Sequence, residues 1–592
     1  MTLSLASRID AALGRTASDL VLEDARIVNV FTGEILRGSL AIHNDTIVAV
    51  GELPHGCIGA TTERKQLDGR FLVPGYIDAH MHVGGSYVPV AALAAALLER
   101  GTTTLATDMY ELYATDGVPG VLESIDRAER AGLRILYMPP AHLIGLEHLG
   151  TFAHPPTLEE FREMGGWTRT VAVNEPPPFV VLGGNEDVLS VISDALDTRR
   201  VFEGHAVGIS GPDLQAYVAA GASSDHEATT LDEALERLRL GYRVIMREGS
   251  AARDLANLAP LLLEYPQSAR FVMVCTDEIE PKHLLEEGHI DHKLRRLVDA
   301  GVDPVVALQT ATINTAEYFG LSGLIGSLSP GKAADILVLE EFETFRPSLV
   351  IAGGQIVAEQ GRLSNTIDHL LHASDGLRSR VVLHHTPKPS DFELRTDHEN
   401  DEVTVRVIGM AHDSLISEPT EHQCENRAGV VLPDTANDVL RIAVMERHTG
   451  SGRVGRGFVS GLQLRDGAVA MTYSHVHQNL LVIGTSDEQM AHAAAEVAAL
   501  GGGMAVVQGS DLVSTVELPV GGFLGQLGFE EMAGHMRDVE DAISALGCRF
   551  TSPVLTIAFS ALPTIPAYGL TDLGLYDVNQ RRFVDVVLDV AQ

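Results

Sequence analysis

The chain has little cysteine, a deficit of positive charge and no long apolar run. Four cysteines in 592 residues, Cys57, Cys275, Cys424 and Cys548, stand too far apart for a CxxC metal knuckle and are too few for a disulfide scaffold. That usage fits a reducing compartment. Lysine and arginine number 43 against 80 aspartates and glutamates, a formal net charge of −37. Such an acid excess repels nucleic acid and anionic membrane, so neither is expected as a partner. The longest apolar stretch, about Tyr87 to Leu98, contains Pro89 and falls short of the roughly 20 residues that a bilayer-spanning helix needs. The opening MTLSLASRIDAALGRT carries Asp10 and no long apolar core, and does not read as a signal peptide. A cytoplasmic protein is expected. The HxE and PCxxC pattern of zinc-dependent base deaminases is missing as well.

What remains is an ordinary globular composition, 45% hydrophobic and 21% charged, with length for two to four domains at roughly 150 residues each. Residues 19–53 alternate in short β-like runs broken by turn residues. Eight β-like runs follow, at 71–83, 102–108, 134–139, 171–175, 201–205, 221–226, 243–248 and 271–277, with helical stretches between them. Several of these helices close on glycine, and Thr230 with Glu233 forms a capping box. Eight βα units in about 250 residues predict a (β/α)8 barrel. The β patterns SPGKAADILVLE and SLVIAGGQIVAEQGRL are expected to join residues 19–53 in one small sheet. The fold class expected is therefore α/β: a small flanking β-sandwich from 1–70 plus 329–363, a barrel over 71–328, a polar linker at 364–400 and a C-terminal α/β domain at 401–592. In that last domain strands are expected near 402–410, 438–446, 467–474, 479–485, 504–518 and 554–561, with helices near 487–500 and 528–546.

The sharpest chemical signal is DAHMHV. His80 and His82 are two apart on a strand, so both imidazoles face the same way and can ligate one divalent cation. Glu175, His205, His226 and Asp277 end the fourth, fifth, sixth and eighth runs, on the face where barrel enzymes carry their active sites. Singly, each suits a surface or capping role. Six together suit two metals sharing a bridging carboxylate, with Glu175 the natural bridge. Asp108 ends the second run on the same rim, and Arg247 and Glu248 end the seventh, where an ion pair or a substrate contact would serve. His283, His289 and His292 are expected on a solvated helix and loop, and Arg447, His448, His475 and His477 in local structural roles. LGGGMAVV follows a helix and precedes a strand, the reverse of a phosphate loop, and reads as a turn.

PGYIDAHMHV, the fourth-run glutamate, the later histidine pair and CTD resemble the amidohydrolase superfamily. Within it, the segment from FEGHAVGISGPD through SSDHEATTLDEALERLRLGYRVIMREGSA is similar to the bacterial adenine deaminase family. So are IAVMERHTGSGRVGRGFVSGLQL and SHVHQN. The resemblance runs from about residue 20 to the C-terminus. The chain reads HVGGS, TDMYE, NEPPPF, CTDE and SHVHQN where that family usually reads HIESS, ADPHE, GEVMNFP, CTDD and SHDSHN. Gly84 thus replaces an acid, and Tyr110 stands where histidine is common.

The resemblance implies that His80, His82 and Asp277 hold one metal, that His205 and His226 hold the second, and that Glu175 bridges them. Two divalent ions are expected, manganese or iron(II) in preference to zinc. The implied reaction is deamination of a 6-aminopurine base, adenine plus water giving hypoxanthine and ammonia. Asp277 would take the proton of the attacking hydroxide, Glu227 would deliver a proton to N1, and Asp108 would hold the purine edge or the amine. Hydrolysis of an amide or cyclic amide on the same metal pair, and a non-catalytic scaffold, are the competing readings. The expected partner is a small purine base, and the expected assembly a homo-oligomer, a dimer in preference.

Overall fold

The computed structural model describes residues 4–364, 367–372, 374–378, 381–411, 417–565 and 567–588. The parts of the expected linker and C-terminal domain at 365–366, 373, 379–380, 412–416, 566 and 589–592 lie outside the described residues. The chain is α/β. All eight expected central strands are present and parallel. Tyr76–Asp78, Thr102–Thr107 and Arg134–Tyr137 pair as one sheet. Ala172–Asn174, Val201–Gly204, Ala222–Asp225, Arg243–Arg247 and Val272–Cys275 pair as a second. Backbone bridges between Tyr137 and Thr170 and between Met81 and Asp277 link the two sheets at both edges, so the pairing runs full circle. Ala79, Ala106, Leu136, Ile245 and Met273, from five of these strands or their ends, belong to one apolar cluster.

The local signals hold where backbone chemistry set them. The Thr230–Glu233 capping box is formed, and Gly132 ends helix Tyr110–Ala131 at φ 107°, in the left-handed region that a Cβ disfavours. Gly501 is the left-handed C-cap that makes LGGGMAVV a turn.

The first run does not stay in one sheet. Phe71–Pro74 pairs with Leu20–Val28 and Ile336–Leu339 in a nine-stranded sheet built from residues 20–74 and 336–363, and only Tyr76–Asp78 pairs with the parallel strands. Gly75 marks the crossing. A Cβ there would lie 2.2 Å from Thr103 Oγ1, so only glycine lets the two strands approach.

Beyond residue 394 a ten-stranded sheet runs antiparallel except where Glu402–Gly409 lies parallel to Val454–Ser460. The expected strand at 504–518 is a hairpin, Gly503–Gln508 and Asp511–Glu517. Strands Glu418–Arg427 and Val454–Ser460 were not expected. The run at 554–561 is a helix, Pro553–Phe559. Its unbroken apolar sequence suits either state, and Pro553 at the first helical position favours the helix.

The segment expected to be solvated is packed. His289 is fully buried, its Nε2 3.1 Å from Asp78 and its Nδ1 2.8 Å from the Thr102 hydroxyl. His283 is buried too. Asp78 Oδ1 in turn accepts the backbone N–H groups of His80 and Thr276 at 3.2 and 3.1 Å, fixing the ends of the first and last parallel strands relative to each other. All four cysteines are buried and free. No helix among the described residues is long and apolar enough to cross a membrane.

Candidate active site

His80, His82, Glu175, His205, His226 and Asp277 meet at the C-terminal ends of the parallel strands. Backbone bonds set the frame: Asp277 N–H donates to His80 O at 2.9 Å, and His82 N–H to Asp277 O at 2.8 Å. The Nε2 atoms of His80 and His82 are 3.3 Å apart. Glu175 stands at the centre. Its Oε1 is 3.2 Å from His82 Nε2, and its Oε2 lies 3.8, 3.6 and 3.5 Å from His80, His205 and His226. Asp277 Oδ1 is 3.6 Å from His82 Nε2. Glu175 and Asp277 hold φ values of 34° and 62°. That left-handed backbone is costly for residues with a Cβ, and such residues gather at functional sites.

The electrostatics of this cluster call for positive charge. Burial opposes ionisation of Glu175, yet His82 and His80 hold its carboxyl well below the usual range. Burial likewise opposes charging His82 and His226, but Asp108 with Glu175 raises the one and Glu203 the other well above the ordinary imidazole value. Donor atoms from His80, His82 and Asp277, and from His80, Glu175 and His226, fall within 4.8 Å of one another, a spacing a cation can bridge. Buried His205 Nδ1 has no hydrogen-bond partner.

Behind the ligands stand carboxylates that orient them. Asp108 accepts from, or pairs with, His82 Nδ1 at 3.1 Å, and its other oxygen takes Asn174 Nδ2 at 2.9 Å. It lies behind His82 with both oxygens engaged and does not line the pocket. Glu203, which sequence reasoning missed, is fully buried and reaches two histidines: His226 Nδ1 at 3.1 Å and His80 Nδ1 at 3.4 Å. Glu227 faces the pocket. Burial opposes its charge, but Arg247, donating to Glu227 Oε1 at 2.7 Å, holds the carboxyl well below the usual range. The same guanidinium donates to Asp277 Oδ2 at 3.1 Å. Arg247 therefore makes ion pairs within the site, and Glu248 is not its partner: that carboxylate accepts from Leu255 N–H.

The far wall comes from a part of the chain given only a structural role above. His475 lines the pocket, stacked on Phe559 with ring centroids 4.5 Å apart and 20° between planes. Its Nδ1 is hydrogen-bonded to the Tyr110 hydroxyl. Its Nε2 lies 3.4 Å from Glu278 Oε1, and both atoms are buried without a hydrogen-bond partner. Tyr473 donates to Glu278 Oε2 at 2.5 Å. Burial, with Asp277 and Glu111 nearby, pushes the Glu278 carboxyl well above the usual range. Gly84 and Gly85 make room for these acids: a Cβ at either would lie 2.5 Å from Glu111 Oε1 or 2.3 Å from Glu278 Oε2. Four of the positions where the sequence departs from the motifs it resembles, Gly84, Tyr110, Glu278 and Val476, thus lie at or behind this wall. His142 was missed too; its Nδ1 is 3.9 Å from Glu175.

Residues 71–357 match the Amidohydrolase family, and residues 414–582 match the Adenine deaminase C-terminal domain. An adenine deaminase of Desulfatibacillum aliphaticivorans is 36% identical over 586 residues, 98% of this chain and 99% of that protein. One of Desulforamulus reducens is 33% identical over 589 residues, 99% of each. Among solved structures, an adenosine deaminase from Xanthomonas campestris with bound zinc aligns at 17% identity and a TM-score of 0.46, covering 60% of this chain and 97% of that one. With relatives matching from end to end and both halves of the chain recognised, this protein belongs to the adenine deaminase family.

Proposed function

We propose that the protein hydrolyses adenine to hypoxanthine and ammonia at a site for two divalent metal ions. The observation that carries this is the central Glu175, whose two oxygens face four imidazoles from three strand ends. The donor set fits: buried imidazole nitrogens and carboxylates suit manganese(II), iron(II) or zinc, and their mutual electrostatics favour a cation among them. His80, His82 and Asp277 would hold one ion, His205 and His226 the other, with Glu175 between. When bound, such a pair acidifies water and so supplies a strong nucleophile at neutral pH.

The chain's own residues then move two protons. Attack at C6 needs one proton at N1 and one at the departing amine, and water carries both. Glu227 is ionised in the resting site, so it first collects a proton from the water and then delivers it to N1. Asp277 passes the second to the amine. Arg247, bonded to both carboxylates, keeps them ionised and aimed. Asp108 acts through His82 as a positioning residue. Phe559, Leu562 and Ile565, beside His475, cover the base and exclude water.

We read the circle of eight strands as a (β/α)8 barrel within 71–328, and the nine-stranded sheet, drawn from 1–70 plus 329–363 with Phe71–Pro74 added, as a small sandwich beside it. The linker at 364–400 and an α/β domain at 401–592 follow. Phe71–Pro74 is counted with the flanking sheet. We further propose a cytoplasmic homodimer acting in purine salvage; the four free cysteines support the reducing compartment. The test is hypoxanthine and ammonia release from adenine by protein stripped of metal and reloaded with manganese or iron(II), with adenosine alongside. Adenine is expected to be strongly preferred. Release from an amide panel but from no aminopurine would replace deamination with amide hydrolysis.

A further inference from the structure

We propose that His475, carried in from the C-terminal region, is a specificity-determining residue that reads the N6–N7 edge of adenine beside Glu278. The inference rests on the deaminase reading above and extends it to the side of the base that the metal-facing residues do not touch.

Three observations lead there. The first is position. Glu227 stands at the end of the sixth strand, whereas Tyr110 and Glu278 follow the second and eighth strands, and His475 is held between them. A purine with C6 over the ligand cluster and N1 at Glu227 turns its other flank, the amine and N7, toward this wall.

The second is unmet hydrogen-bonding capacity. Buried polar atoms are nearly always paired, and those that are not call for an explanation. His475 Nε2 and Glu278 Oε1 are both buried, both on the pocket wall and both without a partner, 3.4 Å apart. Assigning the Tyr110 hydroxyl as the donor to Nδ1 puts the proton of a neutral imidazole on Nε2. The wall then offers one donor beside one acceptor. Adenine offers the complement on this edge: N7 accepts and the 6-amino group donates, the pairing by which bidentate side chains recognise adenine.

The third is rigidity. The imidazole is fixed by its stack on Phe559 and by Tyr110, and the Glu278 carboxyl by Tyr473. Gly84 and Gly85 leave the space in which Glu111 and Glu278 lie. Groups already held in place lose little freedom when the base arrives. Glu278 accepting from the amine also holds the leaving group in line for its proton from Asp277.

The test compares adenine with 7-deazaadenine, which replaces N7 by C–H, on the metal-loaded enzyme. Wild type should lose roughly 10- to 100-fold in kcat/KM on the analogue, because a buried donor is left unpaired. In His475→Phe, which keeps a ring against Phe559 but has no nitrogen, kcat/KM on adenine should fall roughly 10-fold or more through KM, and the adenine-to-analogue ratio should collapse toward one. Metal content should stay at the wild-type value. His475→Gln, whose amide still donates, should recover part of the ratio. If His475→Phe folds and keeps the wild-type ratio, the inference is overturned. Should that variant fail to fold, wild type decides alone: equal KM for adenine and 7-deazaadenine overturns the inference and leaves deamination standing. No ammonia from adenine at any metal loading removes both.

Discussion

Glu175 and Glu278 are both buried carboxylates on the same pocket, and their surroundings are opposite. Glu175 has imidazoles on every side, and its carboxyl is held low. Glu278 sits with Asp277, Glu111 and Tyr473, meets one imidazole edge at 3.4 Å, and is pushed high. The floor of the pocket is arranged to keep positive charge among its donors. The wall is arranged to hold fixed hydrogen-bonding groups in a dry place. One region is suited to acidifying water and moving protons, the other to choosing what is placed above it. The floor comes from strand ends of the central circle, and half of the wall, His475 and Phe559, from a part of the chain well beyond the last of those strands.

If this division holds, substitutions on the floor should damage chemistry and metal retention, and those on the wall should change binding. The largest effect is expected for Glu175→Ala. Losing the central carboxylate should lower metal content below two ions per chain and cut kcat by at least about 10³-fold, since several kcal/mol of charge stabilisation go with the pair. Elemental analysis and steady-state rates read both. Glu227→Gln should leave metal content at wild type and slow turnover by roughly 10²-fold, the scale of a positioned acid–base group; turnover near wild type would put Glu227 outside proton transfer. Glu203→Gln should weaken metal affinity about 10- to 100-fold, the usual cost of losing a carboxylate that orients ligating histidines. Activity should return at saturating metal, which separates orientation from chemistry. Phe559→Ala, on the wall, should raise KM about 2- to 10-fold for the loss of a ring stack worth roughly 0.5–1.5 kcal/mol, with kcat nearly unchanged. A fall in kcat with constant KM would erase the distinction between floor and wall.

The floor was largely legible in the sequence, and the wall was not. His80 and His82 announce themselves by spacing, and Glu175, His205, His226 and Asp277 by ending strands whose β patterns and glycine-closed helices mark their bounds. Glu203 was hidden because it sits one residue inside its strand, before Gly204, where an inward side chain leaves no motif. His475 and Glu278 are joined only by tertiary packing, and neither segment contains the other's partner. His289 was placed in solvent because its neighbours are polar, although burial with Asp78 satisfies it. The apolar run at 553–559 carried no periodicity that separates a strand from a buried helix. Phe71–Pro74 was joined to the wrong sheet because Gly75 gives no sign, in sequence alone, of the close approach to Thr103 that ends the pairing.

The most direct test of the central claim is a titration of metal-stripped protein with manganese or iron(II), following ammonia release from adenine against metal bound per chain. The account predicts no release from the stripped protein, activity that rises with loading, and a plateau at two ions per chain that Glu175→Ala cannot reach. Full activity without metal, or a fully loaded protein that releases no ammonia from adenine, would contradict it.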